Sequence, residues 1–238
     1  MTLQRLLRFE DRAQLVDQIA HLLVEALVKQ QASTGSVSLC LTGGELANQV
    51  YDAMAAISSD LRANEIHLWW NWDYFVATDN PERNSLQTLS RLASTWGLDP
   101  AKIHPIPSSS VFSDPEAGAA QYAQDLADNP PIDVCLLELR ADGGIAGLLP
   151  HHLASPADGL VVGVTDAPGD RVTMTPLGLN TCRQIWIMAS GPDVAAELQL
   201  ANQTDPTRPA SFLRGEECTI WLADLDAATT IPFHRCTL

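Results

Sequence analysis

Lysine is almost missing from this 238-residue chain. Only Lys29 and Lys102 occur, and arginine supplies the other twelve of its 14 basic residues. Against them stand 29 acidic residues, for a formal net charge of −15. A field of that sign repels nucleic acid and anionic lipid surfaces, which argues against both as partners. It also gives no help in drawing an anionic small molecule inward, so any anion site must be built locally. The cysteines, Cys40, Cys135, Cys182, Cys218 and Cys236, are odd in number, widely spaced and lack a C-x-x-C pair. That pattern is neither a disulfide framework nor a zinc site, and it fits a reducing cytoplasm. No apolar run reaches the ~18 residues that a membrane span needs. Met1 to Arg12 carries scattered charges and no apolar core, unlike a secretory signal.

What is present is ordinary for a globular protein: 46% hydrophobic residues, 18% charged, and six tryptophans to help fill a core. Apolar residues at Leu15, Val16, Ile19, Leu22, Leu23, Ala26 and Leu27 have helical spacing over Arg12 to Gln30. Further helices are expected at Glu45 to Ile57, Asn84 to Trp96, Pro115 to Asp128 and Val194 to Ala201. Short apolar runs predict strands at Ser36 to Leu41, Ile66 to Trp70, Ile132 to Leu137, Leu160 to Thr165, Ile185 to Ser190 and Thr219 to Ala223. Cys40 and Cys135 fall inside these runs, where a thiol acts as a small hydrophobe. Strands alternating with helices imply an α/β fold, a single-domain Rossmann-like and mostly parallel sheet flanked by helices over residues 1–238. No linker, repeat or low-complexity segment interrupts it.

Ligands of such sheets sit beyond the carboxyl ends of the strands. The segments to inspect are therefore Thr42-Gly43-Gly44, Asn71 to Asn84, Glu138 to Pro150, and the loops after Thr165 and Ser190. Glycines at Gly43 and Gly44 before a helix would let the backbone approach an anion. The same pair also suits a plain turn. Glu45 at the helix start satisfies the dipole by itself and would repel a phosphate. Trp69, Trp70 and Trp72 cluster at one strand end. Alternate faces of a sheet account for them, and so does Trp72 filling a pocket.

Read in order, these segments carry a resemblance. Thr42-Gly43-Gly44, Asn71 to Val76, Arg83-Asn84, Asp142-Gly143-Gly144-Ile145-Ala146-Gly147-Leu148-Leu149-Pro150, Arg171-Val172-Thr173-Met174-Thr175 and Gly191 to Ala195 follow one another. The series resembles the 6-phosphogluconolactonases of the glucosamine-6-phosphate isomerase/6-phosphogluconolactonase superfamily, from Ser36 to Ala228. The resemblance implies hydrolysis of 6-phospho-D-glucono-1,5-lactone to 6-phosphogluconate in the pentose phosphate pathway, without metal or organic cofactor. In that scheme Asp142 orients the base, and the base stands at position 144. Thr42, Gly43, Gly44 and Arg171 hold the phosphate, with Asn84 as a further substrate-binding position; Arg140, which departs from the family pattern, is a candidate substrate-binding residue of this chain.

The departures gather at the chemistry. The family's G-x-G becomes Glu138 and Arg140, its D-E-R becomes Trp72-Asp73-Tyr74, and its phosphate-facing lysine becomes Val194. Its general-base histidine becomes Gly144, which has no side chain to accept a proton. His151 and His152 lie nearby and could replace it. Arg140 could fill the phosphate region, or simply pair with Glu138 or Asp142. Three readings follow: a divergent lactonase of reduced or lost activity acting on a phosphorylated sugar lactone; a non-catalytic homologue that binds a protein partner or a different small molecule; and, ranked last, a glucosamine-6-phosphate deaminase or isomerase.

Overall fold

A computed structural model describes residues 3–58, 60–150, 159–166 and 168–232. His151 and His152, weighed above as substitute bases, lie outside the described residues. The elements run β1 (Leu3–Phe9), α1 (Arg12–Thr34), β2 (Val37–Leu41), α2 (Glu45–Ile57), β3 (Ile66–Trp70), β4 (Trp72–Tyr74), α3 (Asn84–Leu92), β5 (Ile103–His104) and α4 (Pro115–Asp128). The second half continues with β6 (Val134–Glu138), β7 (Val161–Val164), β8 (Arg171–Met174), α5 (Pro176–Leu179), β9 (Gln184–Ala189), α6 (Ala195–Asn202) and β10 (Cys218–Asp224). Seven strands form one sheet in the order β1-β10-β9-β6-β2-β3-β5, every pair parallel. The expected α/β, mostly parallel sheet is therefore present.

The central strands are buried on both faces. All five residues of β2 are buried, as continuous apolar runs in parallel sheets require. Cys40 of β2 and Cys135 of β6 are register partners in that interior, both free thiols. Helix starts are set locally. Asp11 accepts the Gln14 N–H at 2.8 Å to begin α1. Asp114 accepts the Ala117 N–H at 2.8 Å to begin α4, with Pro115 in the first turn.

Three expectations need correction. The strand expected at Leu160 to Thr165 exists as β7, but outside the parallel sheet. It pairs antiparallel with β8, and β8 pairs antiparallel with β4, in a separate three-stranded sheet. The segment 165–170 is too short for a parallel crossover, which takes roughly a dozen residues, so the chain turns straight back. The helix expected from Asn84 to Trp96 stops at Leu92, because Trp96 turns inward and its indole N–H bonds the Ser58 hydroxyl at 2.8 Å. The edge strand β1 lies before the first strand expected. Its arginines mask an apolar run, and only pairing with β10 makes it regular.

Two buried tyrosines close the ends of the central strands. Tyr51 of α2 accepts the Thr42 N–H at 3.0 Å and donates to the Thr42 carbonyl at 2.8 Å. Tyr122 of α4 accepts the Trp70 N–H at 3.0 Å and donates to the Trp70 carbonyl at 2.9 Å. Each hydroxyl satisfies both backbone groups of a residue next to the ligand-facing edge. The tryptophans alternate as expected of a strand: Trp69 packs edge-on against Tyr122, while the Trp70 indole reaches Thr88 of α3.

Tyr51→Phe leaves both Thr42 groups buried without a partner. Urea unfolding is expected to show a loss of about 1–3 kcal/mol, and Tyr122→Phe a loss of the same order. A pH effect is expected at the sheet's edge. His67 and His104 share a 3.1 Å ring hydrogen bond, and burial lowers both pKa values below 6.5. The unfolded chain then takes up protons first, so this contribution is present above 6.5 and is lost as pH falls. The drop in urea midpoint from neutral to mildly acidic pH should be smaller in His104→Phe, which retains the stack on Trp69.

Candidate active site

The carboxyl ends of β2, β3 and β6 and the small sheet surround one cleft. Its deeper part, about 210 Å³, is lined by Trp72, Tyr74, Arg140, Asp142, Gly144 and Arg171 among others. A shallower arm runs over Gly43, Gly44, Asn84 and Gln87, and Trp72, Tyr74 and Arg140 border both. Gly43-Gly44, the 71–84 segment, the 138–150 loop and the loop after Thr165 are thus brought together, while the loop after Ser190 contributes no residue to either arm.

The loop 138–150 is shaped by its own backbone. The Gly143 N–H donates to Arg140 O at 2.9 Å, the Arg140 N–H to Gly144 O at 3.0 Å, and the Gly144 N–H to Asp142 Oδ1 at 2.9 Å. Ile145 and Leu148 then exchange two 2.9 Å hydrogen bonds around Ala146 and Gly147, whose φ values are +50° and +70°. Two positive φ values mark the tight hairpin turn whose twist suits paired strands.

From β8, two side chains hold that turn. The Thr173 hydroxyl donates to Ala146 O, and Arg171 Nε donates to Gly147 O at 2.6 Å. The rest of the Arg171 guanidinium bonds Asp166 and the Gly169 carbonyl at 3.1 Å. Arg171, expected as a phosphate ligand, is buried and turned to holding the loop. Arg140 pairs with Asp142 at 2.8 Å in an exposed contact, one of the two simple pairings open to it. Asp142 has its oxygens on Arg140 and the Gly144 N–H. A Cβ at Gly144 would meet Asp142 Oδ1 at 2.8 Å and Leu149 at 3.3 Å, so a side chain there needs Asp142 to move.

Thr42 is buried, its backbone tied to Tyr51. Asn84 donates to Trp72 O at 3.1 Å, and its amide packs so closely over Gly43 that any Cβ there would collide with it. Trp72 is buried and stands against Gly147, whose hypothetical Cβ lies 3.1 Å from the indole. It forms a wall of the cleft, and Tyr74 packs edge-on at 5.2 Å.

Two carboxylates that the sequence marked only as departures from the family pattern organise the site. Asp73, with no solvent exposure, accepts Asn84 N–H at 2.7 Å, Ser85 N–H at 3.2 Å and the Ser85 hydroxyl at 2.7 Å, and pairs with buried Arg83 at 3.2 Å. Burial pushes its pKa up, opposed by the Arg83 charge and these hydrogen bonds. Glu138 crosses from the end of β6 to the start of α2 and accepts the Ala47 N–H at 3.0 Å. Gly44, at φ +141°, offers that helix no side-chain cap, and a Cβ there would strike the Glu138 carboxylate. Burial raises the Glu138 pKa, and the Ala47 N–H and Arg12 counter it. Glu45, expected to serve the helix dipole, is exposed and pairs with Arg12 at 3.3 Å. The available signal for Glu138 was a carboxylate at a strand end facing an uncapped Gly-Gly turn.

Among the described residues, no cluster of histidine, cysteine and carboxylate side chains could hold a metal ion, and no helix is long and apolar enough to cross a membrane.

A parallel sheet with its cleft at the carboxyl edge, closed by a backbone-shaped loop, places the chain among α/β proteins whose ligands bind beyond the strand ends. Residues 10–221 match the family model of glucosamine-6-phosphate isomerases/6-phosphogluconolactonase, and the chain belongs to that family. It is 32% identical to the 6-phosphogluconolactonase of Streptomyces coelicolor, over 93% of this chain and 92% of that protein. It is 31% identical to the one from Mycobacterium tuberculosis, over 94% and 97%. The fold matches 6-phosphogluconolactonase from Trypanosoma cruzi with a TM-score of 0.85, 20% identity and coverage of 98% and 99%. A monomeric glucosamine-6-phosphate deaminase shares the fold at TM-score 0.79 and 16% identity, with coverage of 94% and 98%.

Arg171→Met should lower stability by about 1–3 kcal/mol, since it removes the donor to the part-buried Gly147 and Gly169 carbonyls and the charge paired with Asp166. Arg140→Met removes an exposed pair and should cost no more than about 1 kcal/mol. Urea titrations of the two variants test this ordering; equal effects would contradict the structural role given to Arg171.

Proposed function

We propose that this chain is a 6-phosphogluconolactonase-family protein whose cleft hydrolyses 6-phospho-D-glucono-1,5-lactone weakly or not at all, and that it serves as a binding homologue. The observation that carries this reading is position 144. Lactone opening needs a water deprotonated as it attacks the carbonyl, and a donor for the charge that develops on oxygen. Gly144 offers no base, and a positioned base contributes on the order of 10²–10⁴-fold. Asp142 does not stand ready in its place, because Arg140 and the Gly144 N–H already engage its oxygens. Arg171 is committed to the loop and Asp166, so no cation at that position is free for a phosphate. The cleft itself persists, walled by Trp72 and Tyr74 and open enough for a small molecule.

A lactonase assay with spontaneous hydrolysis subtracted should show no appreciable enzymatic rate. Gly144→His alone should not restore it, because Asp142 must first leave Arg140. The triple change Glu138→Gly, Arg140→Gly and Gly144→His should raise the rate above the parent. A clear rate in the unmodified protein, abolished by His151→Ala or His152→Ala, would show instead a working lactonase with a displaced base.

A further inference from the structure

We propose that the groove between α3 and the 105–111 segment is a second binding site, for a small apolar molecule that carries a neutral carbonyl oxygen. Its walls share no residue with either arm of the cleft, so the inference is independent of the function proposed for the cleft.

The local sequence opens the groove. Pro105 and Pro107 come directly after β5 and have no N–H with which to extend its pairing, so the strand ends at His104. The chain then runs beside α3, and Leu86, Leu89, Pro105, Ile106, Pro107 and Val111 supply apolar walls. Val111 is 73% exposed and Leu86 38%, while most large apolar side chains of this protein are buried. The space between them, about 280 Å³, sits at the lower edge of the roughly 300–1,000 Å³ range of small-molecule sites, which suits a single ring.

The polar groups of the groove have hydrogens to spare and too few acceptors. Arg83 is 2% exposed; its Nε donates to the Ser85 hydroxyl at 3.3 Å, and its Nη2 engages Ile106 O and Asp73. Its Nη1 has no acceptor. The Thr78 and Ser108 hydroxyls lie 2.7 Å apart, and only one of their two hydrogens can occupy that contact. No Asp or Glu lines the groove to take up the surplus. A buried donor left without an acceptor is costly, and an oxygen brought by a ligand relieves that cost. Asp73 already balances the Arg83 charge, so a neutral carbonyl fits better than a carboxylate, which would give up its water without gaining a free counter-charge. The net charge of −15 works in the same direction.

An apolar side chain from a second copy of this chain could also cover the walls. It would leave the donors unmatched, and it makes a different forecast.

Acetophenone, its hydrocarbon isostere isopropenylbenzene, and benzoate would each be titrated into the full-length protein, with isotope-labelled Ile, Leu and Val methyls followed by NMR. Acetophenone should give saturable shifts at Leu86, Leu89, Ile106 and Val111 and leave Leu148 and Leu149 of the cleft unmoved. Isopropenylbenzene should bind at least about tenfold more weakly, the loss expected when a donor goes unmatched, and benzoate no more tightly than acetophenone. Leu86→Glu and Val111→Glu, both at exposed positions, should each abolish the saturable shifts with the circular dichroism spectrum unchanged. Absence of saturable shifts, equal affinity for ketone and hydrocarbon, tighter binding of benzoate, or shifts confined to the cleft overturns the proposal. Concentration-dependent shifts of the same methyls without any ligand, removed by Val111→Glu, would place a second copy in the groove and overturn it as well.

Discussion

A carboxylate that never meets water organises the ligand-facing edge of this protein. Asp73 of β4 reaches the first turn of α3 and gathers backbone and hydroxyl donors from both, with Arg83 as its counter-charge. Isolated, such a buried charge would be severely disfavoured; paired and fully hydrogen-bonded, it fixes its surroundings in one arrangement. What it fixes is the cleft. It sets the start of α3, hence Asn84, which reaches back to the Trp72 carbonyl and lies over Gly43. It sets β4, hence the aromatic wall of Trp72 and Tyr74. Losing it would release two elements of the cleft together.

The same physical need recurs at α2. Both helices start at the carboxyl edge with first-turn N–H groups and no side-chain cap of their own, and each receives a carboxylate from elsewhere in the chain. For α3 the carboxylate is Asp73 of the adjacent strand β4, and its ion pair with Arg83 lies in the interior. For α2 it is Glu138, at the end of β6. One requirement is satisfied in two places, each by a carboxylate held at a strand on the carboxyl edge.

Much of the fold could be read from hydrophobic patterning. The run Val37–Leu41 announced a strand buried on both faces, and the limits of α2 and α4 followed from Gly44 before Glu45 and from Asp114-Pro115. The small antiparallel sheet could not be read this way. Val161–Val164 looks like any buried strand, and only its partner, closed by a short connection, determines its direction. At the cleft, the sequence pointed to segments that the structure brings together around Gly144. Residue type says nothing about which acceptors a guanidinium finds, and around Arg171 they are Asp166 and two loop carbonyls. The roles of Asp73 and Glu138 were hidden for a related reason: their partners include backbone N–H groups, which every sequence contains and none displays.

The grip of β8 on the turn at Ala146 and Gly147 has a consequence for how this protein could have changed over time. Thr173 and Arg171 take hold of main-chain carbonyls, which are the same whatever side chains the loop bears. The contour of the loop is thus insulated from its chemistry. A residue facing the cleft can be exchanged, even a catalytic one, while the surrounding frame keeps its shape. A scaffold anchored in this manner permits activity to drift away without a fold being lost, and leaves a formed cavity open to recruitment for another task.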